Sequence, residues 1–210
     1  MTPPIGVVDV VYRREPSVVA RSELAQADGF AHIDVLVGTD APTLALPIGC
    51  PTAFPKPVAG WCSTPAPPVD PADTARSWDR TVRWYRDAPG ALCEPWAGAT
   101  VHSLESMLAL REEVPGLQFL IDTGHATAWG SDVVELLPYA AHVQLRDAVP
   151  GNTQVYPGDG DVDFAAAFEA LERLDYRGVV SVEYFDLPEQ GWPCEDPRGW
   201  AVELRAICTR

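Results

Sequence analysis

The fold is decided by four short apolar runs between residues 91 and 185 that alternate with helical segments. The runs read ALCE at 91–94, LQFLID at 117–122, HVQLRD at 142–147 and VVSVEYF at 179–185. Between them lie SLESMLALREEV at 103–114, SDVVELLPYA at 131–140 and DFAAAFEALERL at 163–174, which begin with Ser or Asp as helices commonly do. Alternating strands and helices predict a parallel sheet with right-handed crossovers.

The amino-terminal half predicts further strands with fewer helices. Valine-rich residues 5–12 and the run AHIDVLV at 31–37 are predicted strands, and Pro16-Ser17 starts a predicted helix between them that ends at Gly29. From Pro42 to Pro71 nine prolines in thirty residues exclude a long helix and leave short extended pieces at 44–49 and 57–63. Eight strands then fit a compact α/β fold, a (β/α)8 TIM barrel of one domain over residues 1–210, with shortened or missing outer helices in this half.

Composition excludes several classes of protein. Of the 210 residues, 47% are hydrophobic and 21% are charged, as expected for a globular chain. The net charge of -15 and the absence of a basic patch argue against a nucleic-acid partner. No run reaches the roughly 18 apolar residues of a membrane helix, and the amino terminus lacks a signal-peptide pattern. We therefore expect a cytoplasmic protein.

Polar side chains stand at the end of four successive predicted strands. In a barrel, ligands bind at the carboxyl ends of the strands. Side-chain alternation directs four residues into the interior of the barrel at that end, Glu94, Asp122, Gln144 and Glu183. Three carboxylates close together raise one another's pKa unless a cation compensates their charge. Carboxylate and amide oxygens are hard ligands, so the pattern predicts a divalent metal, Mn²⁺ or Mg²⁺, with Co²⁺ able to substitute. Taken singly, each acid is as well explained by a helix cap or a solvent-facing position.

The same residues carry a resemblance to a known family. The motifs DTGH at 122–125 and HVQLRDA at 142–148, with the long run at 157–185, resemble the xylose-isomerase-like barrel superfamily, and within it the hydroxypyruvate isomerases and ketose 3-epimerases. The resemblance implies that Glu94, Asp122, Gln144 and Glu183 hold the metal and that His125 contacts a substrate oxygen. The resemblance to hydroxypyruvate isomerases implies an arginine in a PGR turn, which is missing here because residues 149–152 read VPGN, and Arg146 is the predicted replacement.

The predicted function is a metal-dependent isomerase or epimerase of a small carbohydrate or keto-polyol. It would abstract a proton next to a carbonyl, with Glu94 and Glu183 as catalytic acid and base on opposite sides of the substrate. Predicted substrate contacts are His125, Arg146, Trp61 and Trp96, the two indoles because they lie just beyond predicted strand ends. The open alternatives are a dehydratase or lyase on a keto-polyol and a non-catalytic sugar-binding barrel, and the sequence leaves a homo-oligomer open. His142, two residues before Gln144, is predicted to be a hydrogen-bonded core residue.

Overall fold

The centre of the structure, a computed structural model, is one curled sheet of seven parallel strands. Residues 3–209 are described, apart from the side chain of Gln190. The strands are β1 (Ile5–Val8), β2 (Ile33–Asp34), β3 (Cys62–Pro65), β4 (Ala91–Glu94), β5 (Gln118–Asp122), β6 (Ala140–Leu145) and β7 (Val179–Val182). Their order is β2-β1-β7-β6-β5-β4-β3, and every neighbouring pair is parallel. The predicted α/β barrel is confirmed in this arrangement.

The space between the two end strands, β2 and β3, is filled by an irregular segment, residues 47–53. Gly49 N donates to Ile33 O at 3.1 Å, and Ala53 N donates to Ser63 O at 2.8 Å, so the segment is bonded to both strands. It takes the place of an eighth strand without becoming one, because Pro47 and Pro51 have no N–H for a regular ladder. No α-helix lies between β2 and β3 in the described chain, as the prediction of missing outer helices requires.

Seven α-helices accompany the strands within residues 3–209. They are α1 (Val18–Ala27), α2 (Thr74–Arg86), α3 (Leu104–Glu113), α4 (Thr123–Ala128), α5 (Val133–Leu136), α6 (Phe164–Arg173) and α7 (Pro197–Cys208). The predicted caps Ser17 and Ser103 each accept a backbone N–H in the first turn, and Asp73 does the same for α2. Helices α4 and α7 were not predicted, although Asp196 before Pro197 carries the usual start signal for α7.

Two strand boundaries differ from the prediction and change where the neighbouring side chains lie. The first strand stops at Val8, because residues 9–12 form a 3-10 turn that buries Val11 and Tyr12. The third regular strand begins at Cys62 and not at Pro57.

No helix in the described part of the chain is long and apolar enough to cross a membrane.

Candidate active site

The carboxyl ends of the strands surround one cavity of about 460 Å³. The parallel register pairs Asp122 of β5 with Gln144 of β6, and Glu183 follows β7 with its N–H bonded to Leu145 O at 3.1 Å. Glu94, Gln144, Glu183 and His125 line the cavity. Asp122 lies directly behind them and is 1% exposed. The structure therefore brings together all four side chains predicted to hold a metal.

Glu94, Asp122 and the neighbouring His125 form a tight buried cluster. Ligand atoms of Glu94, Asp122 and His125 all lie within 4.8 Å of one another. His125 Nε2 is 3.8 Å from Glu94 Oε1, and the His125 backbone N–H donates to Asp122 Oδ1 at 2.8 Å. Asp122 thus caps α4 and holds His125 at the cavity, which explains the DTGH spacing in physical terms.

The DTGH glycine has a steric reason of its own. A Cβ at Gly124 would lie 2.3 Å from Thr153 O and 3.0 Å from Arg146 Nε. Only glycine lets the first turn of α4 pass this close to the backbone of the loop after β6.

Burial sets the protonation of the acids. Burial raises the pKa of Glu94 to about 8, with Asp122 adding to the rise and Arg146 opposing it. Burial likewise raises the pKa of Glu183 well above its ordinary value, against the effect of Arg146. Burial would also raise the pKa of Asp122, but Arg146 and His125 outweigh it and lower that pKa. Two of the three acids therefore lack a full counter-charge within the protein.

The donor set fits a divalent cation. Gln144 Oε1 is buried and has no hydrogen-bond partner, although a buried acceptor normally has one. With the carboxylates of Glu94, Asp122 and Glu183 it supplies the hard oxygen ligands that Mg²⁺ and Mn²⁺ prefer. A cation here would stabilise the ionised form of the two glutamates, whose pKa burial raises, and would provide a partner for the free amide oxygen.

Arg146 lies behind the cavity, next to two of the acids. Its side chain is fully buried and does not line the cavity. One nitrogen, Nη2, donates to Asp122 Oδ2 at 2.6 Å and lies 3.5 Å from Glu183 Oε2, and the guanidinium carbon is 5.2 Å from the centre of the Phe185 ring. Side-chain alternation correctly placed Arg146 on the inner face of β6, where its Nη2 atom contacts the two acids. Its Nε and Nη1 atoms are buried and have no hydrogen-bond partner among the described residues, and its contact with a substrate stays a prediction.

The two predicted tryptophans lie at opposite ends of the barrel. Trp96 lines the cavity and donates its indole N–H to Ala66 O at 2.7 Å. Trp61 does not line it, and the predicted position was wrong because β3 begins at Cys62, directly after Trp61. Trp61 therefore precedes its strand and stands at the amino-terminal end of the barrel, 44% exposed.

Sequence reasoning missed an acid and an aromatic wall. Asp34 ends β2 at the cavity, and its Oδ2 lies 3.1 Å from His142 Nε2, which confirms His142 as a buried core residue. An acid inside the apolar run AHIDVLV was the available signal. Phe185 and Trp192 stack at 5.7 Å beside His125, and no periodic pattern marks Trp192 in its loop.

Substitutions at Gln144 and His142 should separate metal binding from folding. Gln144→Leu removes the amide oxygen and is expected to weaken metal binding by roughly 10- to 100-fold or more, whereas Gln144→His should retain part of it. His142→Gln leaves Asp34 poorly paired in the core and should cost about 1–3 kcal/mol of the free energy of unfolding. Calorimetric metal titration and urea unfolding measure the two effects. Equal loss of metal from the Gln144→Leu and His142→Gln proteins would show that the assignment of faces on β6 is wrong.

Comparison with known proteins gives a consistent family. Residues 45–209 match the family described as xylose isomerase-like TIM barrel. An inosose dehydratase of Geobacillus kaustophilus is 35% identical in an alignment of 111 positions, covering 41% of this chain and 36% of that protein. An L-ribulose-5-phosphate 3-epimerase, UlaE, of Shigella boydii is 33% identical over 96 positions, covering 43% and 32%. The matches thus span about a third of the length of these relatives.

Solved structures agree on the fold. A 3-keto-D-glucoside 4-epimerase of E. coli, YcjR, superposes with a TM-score of 0.72, covering 98% of both chains at 14% identity. An identity this low bears on the fold alone.

Proposed function

Because the chain belongs to the family of xylose isomerase-like TIM barrels, we propose that it is a divalent-metal-dependent isomerase or epimerase of a small carbohydrate or keto-polyol. The observation that carries the proposal is the pair of buried glutamates at one cavity, Glu94 at the end of β4 and Glu183 after β7, both with a raised pKa. A carboxyl whose pKa lies near neutrality can both take and return a proton.

Glu94, Asp122, Gln144 and Glu183 would hold the metal, with Mn²⁺ or Mg²⁺ favoured by their oxygen donors and Co²⁺ able to substitute. When bound, the metal would supply positive charge that stabilises the negative oxygens of an enediolate.

The protein's own side chains divide the proton transfer. Glu94 and Glu183 come from strands separated by β5 and β6, so they approach a substrate carbon from different sides. One removes the proton next to the carbonyl, and the other returns it. Burial lowers the pKa of His125 to about 4, so the neutral imidazole can orient a substrate oxygen without adding charge. Trp96 would pack against the apolar face of a sugar ring.

Dehydration of a keto-polyol is the second candidate. The similarity to an inosose dehydratase favours it, since the same base next to a carbonyl can expel a hydroxyl group from the following carbon. A non-catalytic sugar-binding barrel is the third, and it has no physical need for two proton-carrying glutamates.

Solvent-deuterium uptake tests the proposal. Protein loaded with Mn²⁺ is incubated in D₂O with a panel of ketoses, inososes and hydroxypyruvate, and mass spectrometry follows the carbon-bound deuterium. We expect uptake that is lost with a chelator and restored by the metal. A product lighter than the substrate by one water would identify a dehydratase, and sugar binding with no exchange would support the non-catalytic barrel.

Metal affinity should depend on pH through Glu94. A ligating carboxyl must be ionised, and burial raises the pKa of Glu94 to about 8, with Asp122 adding to the rise and Arg146 opposing it. Below that pH the metal must displace a proton, so the dissociation constant should fall by up to about tenfold per pH unit as the pH rises towards 8. Calorimetry in buffers of different ionisation enthalpy measures the released proton. Glu94→Gln should remove this part of the pH dependence, and an unchanged slope in that variant would contradict the assignment.

A further inference from the structure

The cavity has an acidic floor and an apolar mouth. Glu94, Gln144 and Glu183 are nearly buried and form the floor. Leu36 and Phe54 line the same cavity but are 61% and 74% exposed, so they stand where it opens to solvent. Leu187 and Trp192 extend the apolar wall. Large exposed apolar side chains at the mouth of a cavity are characteristic of a ligand contact.

No lysine or arginine among residues 3–209 lines this cavity. Arg21 and Arg146 lie next to it, but Arg21 Nη1 bonds to Asp9 Oδ2 at 2.7 Å. Arg146 contacts Asp122 and Glu183 through Nη2, and its other two guanidinium nitrogens are buried behind the cavity lining. A phosphate or carboxylate at the far end of a substrate would therefore meet apolar groups and the carboxylate of Asp9. Such a group would lose its hydration without gaining a partner.

We propose that the substrate is an uncharged keto-carbohydrate that carries an apolar group, such as the aglycone of a keto-glycoside, against the mouth formed by Leu36 and Phe54. The inference rests on the proposed function for the orientation of the sugar, with its reacting carbon at the floor. The cavity volume of about 460 Å³ lies in the range that accepts drug-sized ligands, so there is room for more than a free monosaccharide.

Binding of matched ligands tests this inference. The probes are free glucose, galactose and mannose, their phenyl glycosides and their 6-phosphates, titrated calorimetrically into the Mn²⁺-loaded protein. In the series that binds best, we expect the phenyl glycoside to bind about tenfold more tightly than the free sugar, because the ring buries apolar surface. The 6-phosphate should bind more weakly than the glycoside by at least about tenfold.

Each outcome decides between the two proposals. Tightest binding by a 6-phosphate would overturn the inference and leave the proposed function standing. Preference for the glycoside without deuterium exchange on any ketose or keto-glycoside would support the inference and defeat the proposed function. Binding of no probe, or equal binding of glycoside and free sugar, would overturn the inference.

Two variants place the effect at the mouth. Leu36→Arg puts a cation at the cavity, whereas Val37→Arg makes the same charge change at a side chain that is 48% exposed and does not line it. We expect Leu36→Arg to weaken glycoside binding and strengthen 6-phosphate binding, each by roughly fivefold or more, and Val37→Arg to leave both unchanged. Sedimentation velocity accompanies the titrations. If Leu36→Arg alters self-association but leaves the ligand preference as in the unmodified protein, the mouth is an interface with another copy of the chain, and the inference is wrong.

Discussion

Glu94→Gln and Glu183→Gln are each expected to lower turnover by roughly 10²- to 10⁴-fold, the range that follows loss of a general acid or base. The amide oxygen of Gln can still contact a cation, so part of the metal binding should remain. Both side chains border the cavity and are nearly buried, so the substitutions change chemistry at the floor with little change in shape. Steady-state kinetics and metal titration on the same preparations measure the two properties.

Deuterium exchange distinguishes the roles of the two glutamates. In the variant that keeps the abstracting base, solvent deuterium should enter the substrate while no product forms, because the second glutamate is needed to return the proton to the other side. The other variant should be inactive in both assays. A chain in which one substitution abolishes both activities and the other leaves turnover near normal uses a single base, and the two-glutamate mechanism would then be wrong.

Arg146→Met is expected to lower the free energy of unfolding by about 3–5 kcal/mol, the usual cost of removing one partner from a buried ion pair. Arg146 is the charged group that lies between Asp122 and Glu183, at 2.6 Å and 3.5 Å, with no solvent exposure. Without it, both acids stay buried with less compensation. Urea unfolding of metal-free protein measures the loss, and adding Asp122→Asn to the variant should recover part of it.

Arg86→Met is the matched control for Arg146→Met. Arg86 Nη2 bonds to Glu113 Oε2 at 2.7 Å, but the two side chains are 53% and 49% exposed. A solvent-exposed pair contributes less than about 1 kcal/mol, so this variant should unfold almost like the unmodified protein. Equal effects of the two substitutions would contradict the role of Arg146 as the internal counter-charge.

Much of this molecule is determined locally by its sequence. The caps at Ser17 and Ser103 and the apolar runs around 92, 120 and 143 define helices and strands through contacts between near neighbours in the chain. Alternation along each strand, together with the rule that parallel strands end at one edge, was then sufficient to bring Glu94, Asp122, Gln144 and Glu183 together. The common location of these side chains thus follows from the two-residue period of a strand, the polar residue at each strand end and the parallel arrangement of the strands.

Only the tertiary structure determined the features that depend on where a strand begins or on contacts between segments distant in sequence. Trp61 was predicted at the carboxyl end of a strand, but β3 begins at Cys62, so Trp61 lies at its amino end. In a strand of four residues, an error of a few positions in the start is enough to place a side chain at the opposite end. The contacts of Arg146 depend on Asp122 of β5 and on Glu183 after β7, which lie 24 and 37 positions away in sequence. The apolar mouth likewise joins Leu36, Phe54 and Trp192 from separate loops. Local patterns cannot specify such contacts, because their energy exists only after the barrel has brought the segments together.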